Sequence, residues 1–306
     1  MNLSVENPPY CQTENHSHLK SLAMGIFLTP DKNIRNIWWV VIFFLILTSL
    51  LFPLIIASDR FSFEISMLHQ LILILVVSII CQLLRRKPIS ELTGKFNFDW
   101  LKQLSIGLLI GAVLMVLPAL LLTIFGYIHW QVNVFSCSTI ASGFRLFLYA
   151  AIAEELLFRG FVFQRLIQAF GIWPAQLLVA GLFLLTHINN PGMTGTLKTL
   201  ASLNIFIASL MFGIAYIKTK SLAISFGLHF MANFMQGTVL GFGVSGGKDP
   251  GLLKPFFDNA PLWLTGGDFG IEASILGLFT VILISVFLYL WNPPKDKIKE
   301  EILKME

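Results

Sequence analysis

Two adjacent carboxylates and an arginine interrupt an apolar stretch near the middle of the chain. Glu154, Glu155 and Arg159 lie within the otherwise apolar segment 146–163. An ionisable side chain in lipid is costly unless it is paired or reaches water, so such residues are candidates for function. On a helix, Glu155 and Arg159 share a face and can form an ion pair. Glu154 points about a third of a turn away and is left available. A purely structural ion pair is the alternative for Glu155 and Arg159.

Three further polar side chains lie in apolar segments downstream. His187 closes one such segment, and His229 and Asn233 are four residues apart on another, so the latter two share a helix face. Taken singly, a histidine in a membrane helix is more often a packed, hydrogen-bonded residue than a catalyst. Together with the two glutamates, these groups suffice to activate water. The carboxylate is a general base, the imidazole orients the water, and the amide donates to an oxyanion.

Metal-dependent and nucleophilic chemistry are the other possibilities for these residues. Two histidines and a carboxylate also form a zinc ligand set, for which Glu154, Glu155, His187 and His229 are available. However, the chain has no His-Glu-x-x-His motif, and a carboxylate paired with an arginine is a poor cation site. We therefore expect no metal cofactor, with zinc as the alternative. No serine or cysteine accompanies these groups in a context typical of nucleophilic catalysis.

The composition is that of an integral membrane protein. Of the 306 residues, 56% are hydrophobic and 12% are charged, whereas soluble domains carry about 25% charged residues. We therefore predict an all-α, polytopic membrane protein whose surroundings are the lipid bilayer. Many basic residues flank apolar segments instead of forming one face, so we expect no nucleic-acid partner. The three cysteines include no Cys-x-x-Cys pair, which argues against a disulfide framework.

Eight apolar segments come close to the length of about 20 helical residues that a bilayer requires. The third contains Gly107 and Gly111, a spacing that allows helices to approach closely. We expect one transmembrane bundle over 37–292, between an N-terminal tail (1–36) and a C-terminal tail (293–306). The eight segments are about 37–57, 65–84, 101–125, 143–163, 174–187, 200–217, 221–242 and 271–291.

The basic residues predict the orientation of this bundle. If the N-terminus is cytoplasmic and the loops alternate, all but five of the 21 lysines and arginines fall on the cytoplasmic side. Both termini are then cytoplasmic in a multi-pass protein of the cell membrane. The five on the outer side are Arg60, Arg145, Lys198, Lys248 and Lys254.

The long outer connection 244–268 is rich in glycine, proline and aromatic residues, which suggests a lid or a re-entrant segment. Asp268 is expected to cap the last helix, and Glu272 suits the positive end of its dipole. Structural roles suffice for both residues.

The three motifs Glu154-Glu155-x-x-x-Arg159, Phe183-x-x-x-His187 and His229-x-x-x-Asn233 resemble, in order, those of the CPBP intramembrane proteases. This family comprises type II CAAX prenyl endopeptidases and bacteriocin-processing or self-immunity (Abi-like) proteins. The resemblance covers about 143–233, within an expected protease core of about 143–243. Gly266-Gly267-x-Phe269-Gly270-x-Glu272-x-Ser274 also resembles a stretch that many bacterial members carry before their last helix.

The resemblance implies an eight-helix endopeptidase that cleaves membrane-associated peptides or proteins near the membrane surface. In that reading, Glu154 activates water, His187 positions it, and His229 with Asn233 stabilises the oxyanion, while Glu155 and Arg159 support the base. A non-proteolytic scaffold or immunity protein of the same fold, and a proton-coupled transporter, are the other classes. The unpaired glutamate favours the enzyme, and the sequence does not specify whether the substrate is prenylated.

Overall fold

Helices form most of the structure, a computed structural model that describes residues 25–133 and 136–292. The predicted C-terminal tail (293–306), and residues 1–24 of the predicted N-terminal tail, lie outside the described residues. The helices are α1 (Asn36–Phe61), α2 (Met67–Leu84), α3 (Ser90–Thr93), α4 (Phe98–Ile124), α5 (Cys137–Glu155), α6 (Phe163–Phe170), α7 (Ile172–His187), α8 (Gly195–Thr219), α9 (Ala223–Asn233), α10 (Leu262–Thr265) and α11 (Ile275–Leu290).

Four of these helices are long and apolar enough to cross a bilayer: α1, α2, α4 and α8. The shorter α7 and α11 are also apolar, at 16 residues each. All eight apolar segments of the sequence are largely helical, and together they make this a membrane protein. Eight crossings stay a prediction, because the other helices are short or change helix type along their length.

Two stretches of π-helix interrupt segments where a regular α-helix was expected. Leu156–Val162 joins α5 to α6, and Phe234–Val239 extends α9. Each begins directly after a residue of the predicted site, Glu155 in one case and Asn233 in the other. π-helical turns are rare and are frequently found at functional sites.

The connections that follow α4 and α9 contain a small antiparallel sheet, so the all-α prediction is wrong in this detail. Strand β1 (Ile128–Val132) pairs with β2 (Leu253–Phe257), with Ile128 opposite Phe257. The strands are five residues long and far apart in sequence. Pro255 within β2 further weakens the strand signal, because proline cannot donate to a ladder.

The tightest packing brings α4 against α9 through the two glycines that the sequence singled out. A Cβ atom at Gly107 would meet the carbonyl oxygen of Ile224, and one at Gly111 would meet the carbonyl oxygen of Leu228. Neither position can hold a larger side chain without moving the backbone of α9. The Gly107-xxx-Gly111 spacing thus sets the position of the helix that carries His229 and Asn233.

Two hydrophobic clusters flank this region. In the first, Phe43 of α1 stacks on Phe161 at a centroid distance of 4.8 Å, and both rings are fully buried. In the second, Leu114 of α4, Leu228 of α9 and Val281 of α11 pack together. The segment that carries Glu154, Glu155 and Arg159 contributes Leu156, Phe158 and Phe161 to the first cluster.

Candidate active site

The predicted site residues surround one cavity of about 260 Å³ between the helices. Glu154, His187, His229 and Asn233 line it, from α5, α7 and α9. Such a volume holds several water molecules. Much of the remaining wall is apolar, with Leu114, Met115, Phe147, Ile205 and Val281 among its residues.

Glu155 lies behind the cavity wall and joins two groups. Its side chain is 1% exposed, and Oε1 accepts hydrogen bonds from Arg159 Nη1 (3.1 Å) and His229 Nδ1 (2.9 Å). The ion pair expected from the i,i+4 spacing is therefore present, and it also holds the imidazole of α9. A buried carboxylate that accepts from two such donors is strongly fixed.

Arg159 is fully buried, and both of its terminal nitrogens have hydrogen-bond partners, whereas its Nε has none among the described residues. Its Nη2 donates to the Oγ of Ser209 (2.8 Å) and to the carbonyl oxygen of the same residue (3.2 Å). The guanidinium carbon lies 4.7 Å from the ring centroid of Phe183 and 4.9 Å from that of Phe212. Hydrogen bonds, an ion pair and aromatic faces together stabilise this buried charge.

Glu154 is the carboxylate that this network leaves free. Its side chain is 25% exposed to the cavity, and its Oε2 lies 3.8 Å from His229 Nε2. Within the described residues, that oxygen has no hydrogen-bond partner. A buried polar atom without a partner is unusual and calls for a functional explanation.

His229 bridges the two glutamates. Because Nδ1 donates to Glu155, the opposite nitrogen, Nε2, faces Glu154. The imidazole also stacks on Phe212 at 4.9 Å with a 15° interplanar angle, which fixes the plane of the ring. One histidine thus has one nitrogen bound to the supporting network and one directed at the available carboxylate.

His187 is held at the C-terminal end of α7. Its Nδ1 lies 2.7 Å from the carbonyl oxygen of Phe183, and a carbonyl can only accept, so Nδ1 carries the proton. In the neutral ring, Nε2 is then a hydrogen-bond acceptor. Such a nitrogen can hold a water molecule by accepting one of its protons.

Sequence reasoning missed several polar residues of the cavity wall: Asn190, Asn204, Ser245, Asp249 and Glu272. Only Glu272 carried a signal, and it was given a purely structural role at the start of the last helix. The expected cap is also wrong, since Ser274 Oγ accepts from Gly277 N (2.9 Å) at the start of α11. Asp268 instead pairs with Lys248 at 2.6 Å on the surface.

Glu272 lies in a 3₁₀ turn, Ile271–Ala273, that precedes α11. Its Oε1 accepts from the backbone N–H of Ser245 and from Ser245 Oγ (3.1 Å). The residue is a further carboxyl group on the cavity wall, which it shares with Glu154 and His187.

The geometry also bears on the zinc ligand set that the sequence left open. Among the described residues, no three His, Cys, Asp or Glu side chains are grouped so that they could hold a metal ion. Glu155 already accepts from Arg159 and from His229 Nδ1. A cation bound there would have to displace these donors beside a guanidinium, so Glu155 is a poor zinc ligand.

Comparison with known proteins places this site within a family. Residues 136–235 match the family model "Type II CAAX prenyl endopeptidase Rce1-like". A search of curated proteins found no match to the chain. The matched segment contains Glu154, Glu155, Arg159, His187, His229 and Asn233, that is, all three motifs. The segment 136–235 is thus similar to the Rce1-like type II CAAX prenyl endopeptidases, and this similarity supports the resemblance to the CPBP family that the three motifs carry.

Proposed function

We propose that the protein is an intramembrane endopeptidase in which Glu154 activates water to hydrolyse peptide bonds of membrane-associated peptides or proteins. The observation that carries the proposal is the state of Glu154. Its side chain lines the cavity and is 25% exposed, and its buried Oε2 has no hydrogen-bond partner among the described residues and lies 3.8 Å from His229 Nε2. A general base needs such an available lone pair within reach of the reacting water.

The first step is attack by water. A water molecule between Glu154 and His187 donates one proton toward the Glu154 carboxylate and the other toward His187 Nε2. Glu154 takes its proton as the water oxygen bonds to the scissile carbonyl carbon, and the carbonyl oxygen becomes an oxyanion. His187 suits this role because its Nδ1 is fixed on the carbonyl of Phe183.

The oxyanion needs hydrogen-bond donors on the α9 side of the cavity. Asn233 lines the cavity there with its amide. His229 can donate from Nε2 only as an imidazolium, because Nδ1 is already bound to Glu155. Two neighbouring glutamates stabilise that charged form, and an imidazolium and an amide together make an oxyanion site.

Collapse of the intermediate completes the reaction. The carbon–nitrogen bond breaks, and the protonated Glu154 returns its proton to the leaving nitrogen. Glu155 and Arg159 take no part in the proton transfers. Arg159 binds Glu155, and Glu155 in turn binds His229 Nδ1 and fixes the orientation of the imidazole.

We further propose that this mechanism needs no metal ion. Glu155 already accepts hydrogen bonds from Arg159 and His229, so it is not available as a metal ligand. If Glu154 were a zinc ligand, no carboxylate of these motifs would be left as the base. In the metal-free mechanism, no residue has to be a metal ligand and a general base at the same time.

The proposal is tested with purified protein in liposomes and two synthetic probes, a farnesylated peptide ending in a CAAX sequence and a single-span transmembrane peptide. Mass spectrometry of the products identifies the cleaved bond. We expect hydrolysis of at least one probe, at an unchanged rate after exhaustive chelation. No cleavage of either probe would contradict the endopeptidase, and activity lost on chelation and restored by zinc would contradict the metal-free mechanism.

A further inference from the structure

Glu272, a further carboxyl residue of the cavity wall, has no part in the mechanism above. It lines the same cavity as Glu154 and His187, although it lies more than a hundred residues from Glu154 in the chain. Within the described residues, no lysine or arginine lies within ion-pair distance of it; its donors are the N–H and hydroxyl of Ser245 and the side-chain amide of Gln236. Enclosing a carboxylate with neutral donors alone is costly, and a glutamine would satisfy Ser245 equally well.

Backbone contacts hold Glu272 and His187 in a fixed relation. The loop that follows His187 packs against both segments that support Glu272. A Cβ atom at Gly192 would lie 3.2 Å from Phe269 N, and one at Gly246 would meet the carbonyl oxygen of Pro191. Gly246 N also donates to Phe269 O at 3.4 Å. The end of α7 and the turn of Glu272 therefore cannot move independently.

His187 is the residue of the cavity wall on which the charge of Glu272 can act. Both side chains line the same cavity, and His187 Nε2 is the ring nitrogen not bound to Phe183. The other titratable groups on the cavity wall are Glu154, His229 and Asp249. His229 is bound to Glu155, and Asp249 lies on the exposed loop at the mouth.

We propose that Glu272 is a positioning residue that acts through His187, with its carboxylate, held by Ser245, stabilising the partial positive charge that the imidazole of His187 gains when its Nε2 accepts a hydrogen bond from the attacking water. The inference rests on the proposed function. Glu154 takes the transferred proton, and a carboxylate across the cavity makes the imidazole a stronger hydrogen-bond acceptor for the water. Glu272 does not touch the substrate.

The kinetic test exploits the similarity of glutamine and glutamate. Glu272→Gln keeps an acceptor for Ser245 and removes the charge. We expect a fall in kcat of about tenfold to a hundredfold with little change in KM, the usual loss for a supporting carboxylate. Glu272→Asp restores part of the rate. In a His187→Ala background, Glu272→Gln should lower the residual rate no further, because the two residues act as a unit. The matched control is Asp258→Asn, an exposed carboxylate outside this cavity.

A spectroscopic measurement tests the same claim without any cleavage. In ¹⁵N-histidine-labelled protein, the ring signals of His187 are assigned by their absence in His187→Gln. At one fixed pH, Glu272→Gln should reduce the imidazolium fraction of His187, and Asp258→Asn should not. If that fraction is unchanged, or if Glu272→Gln keeps the full rate while Glu272→Ala loses it, Glu272 only anchors Ser245 and the proposal is wrong. A chain that cleaves no probe contradicts the protease and still allows this measurement.

Discussion

At the scale of single residues, the site separates two adjacent glutamates by their partners. Glu155 is bound to Arg159 and His229, whereas Glu154 faces a cavity. The i,i+4 rule sufficed to predict the ion pair from sequence, because it depends only on helix geometry. The bond from His229 to Glu155 was not predictable, because it joins residues 74 positions apart.

This separation predicts opposite stability effects for two alanine variants. Arg159→Ala leaves Glu155 buried without its cation and should lower the free energy of unfolding by about 3–5 kcal/mol, the usual cost of breaking a buried pair. Glu154→Ala removes an unpartnered carboxylate and should leave stability unchanged or slightly higher. Thermal unfolding in detergent measures both. Equal losses would mean that the free and paired glutamates are assigned in the wrong order.

At the scale of the helices, apolar runs predict where helices form but not which kind of helix. The segments around Glu155 and Asn233 are mostly apolar, so the periodicity of their hydrophobic residues gives no sign of the π-helical turns that follow these two residues. The β1–β2 sheet was missed for a related reason, since its strands pair across more than a hundred residues. Glu272 lies in a short turn before α11, and its contacts with the cavity wall are long-range, so local sequence patterns do not predict them.

Adding one methyl group at Gly111 should disturb the contact between α4 and α9. Gly111→Ala would drive a Cβ atom into the backbone of Leu228 and shift the helix that carries His229 and Asn233. We expect a loss of about 1–3 kcal/mol, the range for overpacked sites, together with reduced cleavage. Gly181→Ala on α7 is the matched control, because no atom lies within 4 Å of its added Cβ. Equal behaviour of the two variants in unfolding and cleavage assays would argue against this account of the packing.

At the scale of the whole molecule, the composition predicted a helical membrane protein, and the structure agrees with four candidate spans. The further crossings depend on short or composite helices, whose insertion is not decided by hydropathy alone. The orientation is likewise a prediction from the basic residues. It would place the segment 85–95 in the cytoplasm and the β1–β2 sheet outside.

Reporter fusions test this orientation. A reporter fused after Glu306, or inserted within 85–95, should show cytoplasmic activity, and one placed beside Lys254 should show external activity. The physical reason is the excess of lysine and arginine on the predicted inner side. A C-terminal reporter found outside would contradict the predicted orientation.

The most direct test of the central claim is the cleavage rate of Glu154→Gln in liposomes, compared with wild type on the same probe. Glutamine keeps the size of the side chain and cannot accept a proton from water, so we predict a loss of about 10²–10⁴-fold, the contribution of a general base. The control is Glu64→Gln, an exposed glutamate between α1 and α2. Unfolding temperatures should match wild type for both variants. If a correctly folded Glu154→Gln cleaves the probe within a few-fold of the wild-type rate, Glu154 is not the base and the proposed mechanism is wrong.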